Sequence, residues 1–254
     1  MKLMNNKAAT LMNIEQRKIR EEVMIMYKYL LWDIDGTVLD FLASEAYAIR
    51  TLFEKYNLGE CTDEMLKSYS AINVKYWQML ERNEMTKSQI LVERFREFFG
   101  NIGVDIGIAE DFNREYQVTL GDYVAFVGNA KEILLSQKGR FTLAAVTNGT
   151  RVAQERKLRL SGLDKMFDAI FISEKVGAEK PNKAYFDYVF HSLGISDKRE
   201  VLIIGDSLTG DMKGGYDAGI DTCWFNPEHR QNTLDIPVTY EVDKLSDVEK
   251  IVGM

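Results

Sequence analysis

From about residue 124 onward, short unbroken apolar runs alternate with stretches of helical period. The apolar runs are residues 141–146, 169–172, 201–204 and 222–225. Helical periods fall around them near 129–137, 150–160, 182–193 and 208–218. Strands alternating with helices predict βαβ units and a parallel sheet. Continuous rather than alternating hydrophobicity in the strands fits burial on both faces. One more run, Tyr27-Lys28-Tyr29-Leu30-Leu31-Trp32, stands far ahead of the others and predicts the first strand.

Residues 41–123 follow a different pattern. Leu42, Ala46, Ile49, Phe53 and Tyr56 recur at helical spacing. Thr86 with Gln89 makes a capping box ahead of Ile90, Leu91, Phe95 and Phe98. Further helical stretches run through 62–81 and 109–120, and strand signals are missing. The simplest account is an all-helical domain inserted over the carboxyl end of the sheet; the alternative is a set of helices flanking the sheet. The predicted division is an α/β core of residues 26–40 and 124–254 and a helical domain of 41–123. Residues 1–25 are polar, lack the apolar core of a signal peptide, and read as an extension outside the domain, from an upstream start codon.

The bulk composition narrows the function classes. The 254 residues suffice for one large or two modest domains, and 46% hydrophobic with 28% charged residues is ordinary for a globular protein. With 32 Lys and Arg against 39 Asp and Glu, the net charge of -7 argues against binding nucleic acid through a basic surface. An anionic small molecule remains compatible, because a metal and one lysine invert the local field. The chain contains no apolar stretch of membrane-span length. Cys61 and Cys223 match no metal spacing and read as buried free thiols of a reducing, cytoplasmic compartment, with a single disulfide left open.

Ligands of open α/β sheets sit beyond the carboxyl ends of the strands. The first predicted strand ends in Asp33-Ile34-Asp35-Gly36-Thr37. Burying carboxylates without a partner is costly, so a metal ion and a phosphoryl group would explain the pair; a polar Asp-Gly turn is the plainer reading. Thr147-Asn148-Gly149 follows the second strand, Lys180-Pro181 the third, and Gly205-Asp206-Ser207-Leu208-Thr209-Gly210-Asp211 the fourth. Two acids, a hydroxyl, a cation and two further acids at one edge can hold Mg²⁺ and a phosphoryl group together.

The order and spacing of these four motifs resemble the haloacid dehalogenase superfamily, specifically its phosphotransferase members. The resemblance implies a Rossmann-like parallel sheet flanked by helices, with residues 41–123 as an inserted helical cap. It implies that Asp33 attacks phosphorus to form an aspartyl-phosphate. Asp35 would protonate the leaving oxygen and then take a proton from the hydrolytic water; dehalogenases lack this second aspartate. Thr147 and the backbone N–H of Asn148 would hold phosphate oxygens, and Lys180 would offset the charge shared with Asp33. Lys175, in the same loop, reads as a solvated surface charge. Asp33, the backbone carbonyl of Asp35, and Asp206 would be the protein ligands of Mg²⁺. Asp211 would lie behind them, toward a metal water or Lys180, unless it only favours the first turn of a helix.

Thr37 reads as a turn residue and Asp40 as a helix-start acid. His191 and His229 read as packing or surface residues, and Trp77, Phe95, Phe98 and Phe99 as core of the helical segment.

A finer resemblance rests on Glu174-Lys175-Val176-Gly177-Ala178-Glu179-Lys180-Pro181, on Gly214-Gly215 and Ala218-Gly219, and on Cys223-Trp224-Phe225-Asn226. It is to the bacterial pyrimidine 5′-nucleotidases that clear non-standard nucleotides, and it implies nucleoside monophosphates such as dUMP, UMP and dTMP as substrates. Gly36 departs from it, since some members carry Glu there. The competing readings are a phosphatase for phosphoglycolate or a sugar phosphate, and a signalling receiver domain built around a phospho-aspartate. A receiver needs neither the helical insert nor the second aspartate. The expected partner is a small phosphomonoester, with no nucleic acid or membrane, for a monomer or homodimer.

Overall fold

A computed structural model describes residues 27–254. The extension predicted over 1–25 lies outside the described residues. Six strands form one parallel sheet: β1 (Tyr29–Trp32), β2 (Thr142–Thr147), β3 (Ala169–Ile172), β4 (Val201–Gly205), β5 (Asp221–Phe225) and β6 (Tyr240–Val242). Their order is β3-β2-β1-β4-β5-β6. The chain winds outward from β1 through β2 to β3, then returns to β4 on the other side of β1. The crevice between β1 and β4 is therefore a topological switch point. Trp32 is level with Ala145 of β2 and Ile204 of β4, so these three strands end within two residues of one another.

The first four of the five α-helices between β1 and β2 are α1 (Phe41–Lys55), α2 (Asp63–Glu81), α3 (Lys87–Ile102) and α4 (Ala109–Leu120). Then come α5 (Ala130–Gln137), α6 (Arg151–Ser161), a single turn α7 (Ser173–Val176), α8 (Lys183–Leu193), α9 (Lys213–Ala218) and α10 (Asp247–Ile251). Alternation along the strands divides the core in two. Leu30, Trp32, Leu143, Ala145, Leu202 and Ile204 pack with Ile133 and Leu134 of α5, Leu158 of α6 and Val248 of α10. Leu31, Ala144, Val146 and Ile203 pack with Tyr185, Phe186 and Val189 of α8 and Ala218 of α9.

Helices α1 to α4 bury a core of their own. Phe53, Tyr69, Phe95, Phe98, Phe99, Phe112 and Tyr116 form it, joined by Ala153 of α6. The ring pairs Phe95–Phe112 and Phe99–Phe112 meet edge to face at 5.0 Å between centroids, the favoured aromatic geometry. Asp40 caps α1 by accepting from the Ala43 N–H at 3.0 Å, and Thr86 with Gln89 forms the predicted capping box on α3. Trp77 is the exception among the predicted aromatics: it is only partly buried and stands outside this core.

Two short elements differ from the sequence reading. Strand β6 was not predicted, because Tyr-Glu-Val offers only one fully buried side chain. The helix predicted over 208–218 begins as a wide π-type turn at Leu208–Met212 and becomes α-helical only at Lys213. The Ser207 hydroxyl accepts from the Gly210 N–H there. Cys223 is buried as predicted, whereas Cys61 is only partly buried; both are free thiols. Among the described residues, no helix is long and apolar enough to cross a membrane.

Candidate active site

The loops after β1, β2, β3 and β4 meet above the switch point. The Asp33 N–H donates to the Ile204 carbonyl at 2.9 Å, which continues the β1–β4 pairing and fixes Asp33 at the strand end. One carboxylate oxygen each from Asp33, Asp206 and Asp211 fall within 4.8 Å of one another. The Lys180 ammonium lies 2.7 Å from Asp33 Oδ1 and 2.6 Å from Asp211 Oδ1, and donates also to the Val146 carbonyl at 2.7 Å. Asp33, Lys180 and Asp211 are all buried. Asp211 also accepts from the Ser207 N–H through Oδ2 at 3.2 Å. It is thus tied to Lys180 and to its own loop, and it also stands in the first turn of the π-type segment.

Thr147 and Asn148 sit at the end of β2. The Asn148 side chain donates to the Lys180 carbonyl and accepts from the Lys180 N–H, both at 2.8 Å. This two-point link locks the β2 loop to the lysine loop. The Thr147 hydroxyl accepts from the Gly149 N–H at 3.1 Å.

Charge balance is the dominant feature. Burial raises the Asp33 carboxyl well above the usual carboxylate range; Lys180 opposes the rise, while Asp211 and Asp206 add to it. Burial, reinforced by Asp211, likewise pushes Asp206 up to about 7. Burial alone would lower the Lys180 ammonium, but Asp211 and Asp33 reverse that and hold it above the ordinary lysine range. One lysine does not offset three converging carboxylates. Their oxygens suit a hard divalent cation such as Mg²⁺, and such a cation would supply the missing positive charge.

Several residues beyond the predicted ligands shape the site. Gly36 adopts φ +88°, and a Cβ there would lie 3.0 Å from the Asp206 carboxyl carbon. A side chain at this position is strained and presses on Asp206, so Gly36 shapes the site as well as the turn. The Thr37 hydroxyl points at Asp206 Oδ1, 3.5 Å away. The Asp206 carbonyl accepts from Trp224 Nε1 at 3.0 Å and Arg230 Nη2 at 2.8 Å. From α2, Glu81 reaches down to the hydroxyls of Ser207 and Thr209. Lys87, at the start of α3, donates to the Ser173 hydroxyl at 2.6 Å and pairs with Glu179 at 3.3 Å. Asp35 carries two partners from α6, Gln154 and Lys157. Glu81, Lys87, Gln154 and Lys157 lie in no motif. Their signal is a polar side chain at a helix position where the pattern calls for an apolar or indifferent one. Lys175 pairs with Glu155 at the surface, as expected of a solvated charge.

Known proteins resemble this chain over most of their length. The sequence profile of the haloacid dehalogenase-like hydrolases matches residues 30–225. The HAD-hydrolase YfnB of Bacillus subtilis is 38% identical over 231 residues, which cover 91% of this chain and 97% of YfnB. Its magnesium-bound crystal structure, which reveals interdomain movement, aligns with a TM-score of 0.85 over 90% of this chain and 100% of that one. The pyrimidine 5′-nucleotidase PynA of Streptococcus pneumoniae is 33% identical, covering 88% of this chain and 94% of PynA. The pyrimidine 5′-nucleotidase YjjG of Escherichia coli is 29% identical, covering 89% of this chain and 98% of YjjG. With a profile match spanning most of the sheet and the helices within it, the chain belongs to the haloacid dehalogenase-like hydrolases.

Proposed function

We propose that this hydrolase is a Mg²⁺-dependent phosphomonoesterase that works through an aspartyl-phosphate on Asp33, with pyrimidine nucleoside 5′-monophosphates as substrates. The observation that carries the reading is the meeting of Asp33, Asp206, Asp211 and Lys180 at one strand edge. An Asp33 carboxylate oxygen attacks phosphorus, and the ester P–O bond breaks with its electron pair going to the leaving oxygen. That oxygen takes a proton from the Asp35 carboxyl. Water then attacks the aspartyl-phosphate and gives a proton to the Asp35 carboxylate. The P–O bond to Asp33 breaks, its carboxylate is restored, and inorganic phosphate leaves. Lys180 faces the charge shared by phosphate and Asp33, while Thr147 and the Asn148 N–H hold phosphate oxygens. Asp33, the Asp35 carbonyl and Asp206 would hold Mg²⁺, which when bound neutralises phosphate charge; Asp211 orients Lys180.

The helical segment 41–123 acts in this reading as a cap over residues 26–40 and 124–254. Support comes from its separate aromatic core and from the contacts of Glu81 and Lys87 with the loops that carry Asp206 and Lys180. Such a cap admits substrate and excludes water. Trp77 lies one turn before Glu81 on α2 and is part-exposed, which makes it a cap aromatic available to meet a nucleobase. The pyrimidine preference follows PynA and YjjG.

A substrate panel tests the reading. Phosphate release is measured from dUMP, UMP, dTMP, phosphoglycolate and a sugar phosphate, with Mg²⁺ and after chelation. The pyrimidine nucleotides should turn over fastest, and chelation should stop all turnover. Faster release from phosphoglycolate or the sugar phosphate would replace the nucleotidase reading. Stable phosphorylation without turnover would point to a receiver-like role.

A further inference from the structure

Lys157 and Gln154 form a polar pair on the buried face of α6, and both are fully buried. They lie beside Ala153 and Leu158, which are packed in the core. Packing alone gives no reason for polar side chains there, and a buried lysine is costly without a counter-charge. The counter-charge is Asp35. Lys157 Nζ lies 2.7 Å from Asp35 Oδ1, and Gln154 Nε2 donates to Asp35 Oδ2 at 2.5 Å. The other side of the ammonium faces the Phe41 ring, 5.0 Å from its centroid. The loop after β2 leaves room for this pair: a Cβ at Gly149 would lie 2.2 Å from Gln154 Nε2.

We propose that Lys157 and Gln154 are positioning residues that fix the Asp35 carboxyl for its two proton transfers. The inference rests on the reading of Asp35 as acid and base given above. Held at both oxygens from α6, the Asp35 carboxyl is fixed in its plane and orientation. Both residues therefore govern the steps in which Asp35 gives or takes a proton, and not the attack of Asp33 on phosphorus.

The test uses the Mg²⁺-loaded enzyme and two substrates that differ in their need for an acid. dUMP expels an alkoxide-like oxygen that must be protonated; p-nitrophenyl phosphate expels an anion that is stable near neutral pH. In rapid-mixing single turnovers, Lys157→Met and Gln154→Leu should slow nucleoside release from dUMP by roughly tenfold or more, within the range that general acid catalysis supplies. Their first-turnover burst of p-nitrophenolate should keep the wild-type rate and then give way to a slow steady state, because hydrolysis of the aspartyl-phosphate still needs the base. Lys157→Arg should recover part of the dUMP rate. Equal slowing of both first turnovers would mark a general distortion and overturn the proposal. So would wild-type rates on both substrates while Asp35→Asn is impaired. An Asp35→Asn enzyme that releases nucleoside at the wild-type rate would overturn the acid–base reading itself. Should Lys157→Met fail to fold, Gln154→Leu, which removes no charge, carries the same comparison.

Discussion

At the residue scale, the site is a problem of uncompensated charge. Three acids, Asp33 and Asp211 buried and Asp206 half-buried, converge beside one lysine, and desolvation is the largest cause of the raised pKa of both Asp33 and Asp206. A divalent cation relieves this directly. Asp206→Asn should therefore raise the Mg²⁺ concentration for half-maximal activity by more than the ~10–100-fold that loss of an outer hydrogen bond costs. An unchanged Mg²⁺ titration would remove Asp206 from the ligand set. The motif residues were legible because strand ends are legible: an apolar run stops, and the next polar residues face the crevice. Lys157 and Gln154 were not, because a helix of mixed composition does not reveal from sequence which polar residues point inward. Gly36 shows the same limit. Its turn was readable, but the approach of Asp206, distant in sequence, was not.

At the scale of elements, the helices between β1 and β2 show how far periodicity carries. The capping box, the helix starts and the aromatic core followed from local spacing. Trp77 did not, since helical spacing places it near the core face without fixing its exposure. The same helices enclose a polar network that no pattern announces. Glu45 of α1 accepts from Ser70 and Asn73 of α2, and Arg94 of α3 donates to Asn73 at 2.6 Å. Burial lifts the Glu45 carboxyl from 4.5 to about 7, against the opposing pull of Ser70, Arg94 and Asn73. The folded protein thus holds a proton on Glu45 that the unfolded chain gives up between these values. The stability this contributes is complete below about pH 4.5 and is lost as pH rises through about 7. Glu45→Gln is neutral throughout and escapes that loss. The stability of wild type minus that of Glu45→Gln, from urea unfolding, should fall by on the order of 3 kcal/mol between about pH 5 and about pH 8. A pH-independent difference would contradict the assignment. Removing one ring of the aromatic core, as in Phe95→Ala, should cost about 3–5 kcal/mol by the same measurement; a loss below about 1 kcal/mol would mean the core is not packed as described.

At the scale of the whole molecule, the sheet order brings together residues from both ends of the described chain. Asp33 follows β1 and Asp206 follows β4, and the two strands are neighbours. A cation shared between them would tie these distant parts together and stabilise the folded state by mass action. At one hundred times its dissociation constant, Mg²⁺ should add about 2.7 kcal/mol, which in a protein of this size is a rise in Tm of roughly 5–10 °C. Calorimetry with and without Mg²⁺ checks this; the rise should vanish in Asp206→Asn, and its persistence there would place the cation elsewhere. The parallel sheet and the inserted helices were legible because unbroken apolar runs and helical periods separate cleanly along this chain. The order of the edge was less so, since β6 is short and polar and gains its place only by pairing with β5. The central claim is that Asp33 becomes phosphorylated, and it can be read chemically. Borohydride reduces an acyl phosphate to an alcohol, which converts aspartate to homoserine. Enzyme quenched during turnover of dUMP, reduced and analysed by peptide mass spectrometry should carry homoserine at position 33 alone. Undiminished turnover by Asp33→Asn, or homoserine at another aspartate with none at 33, would contradict it.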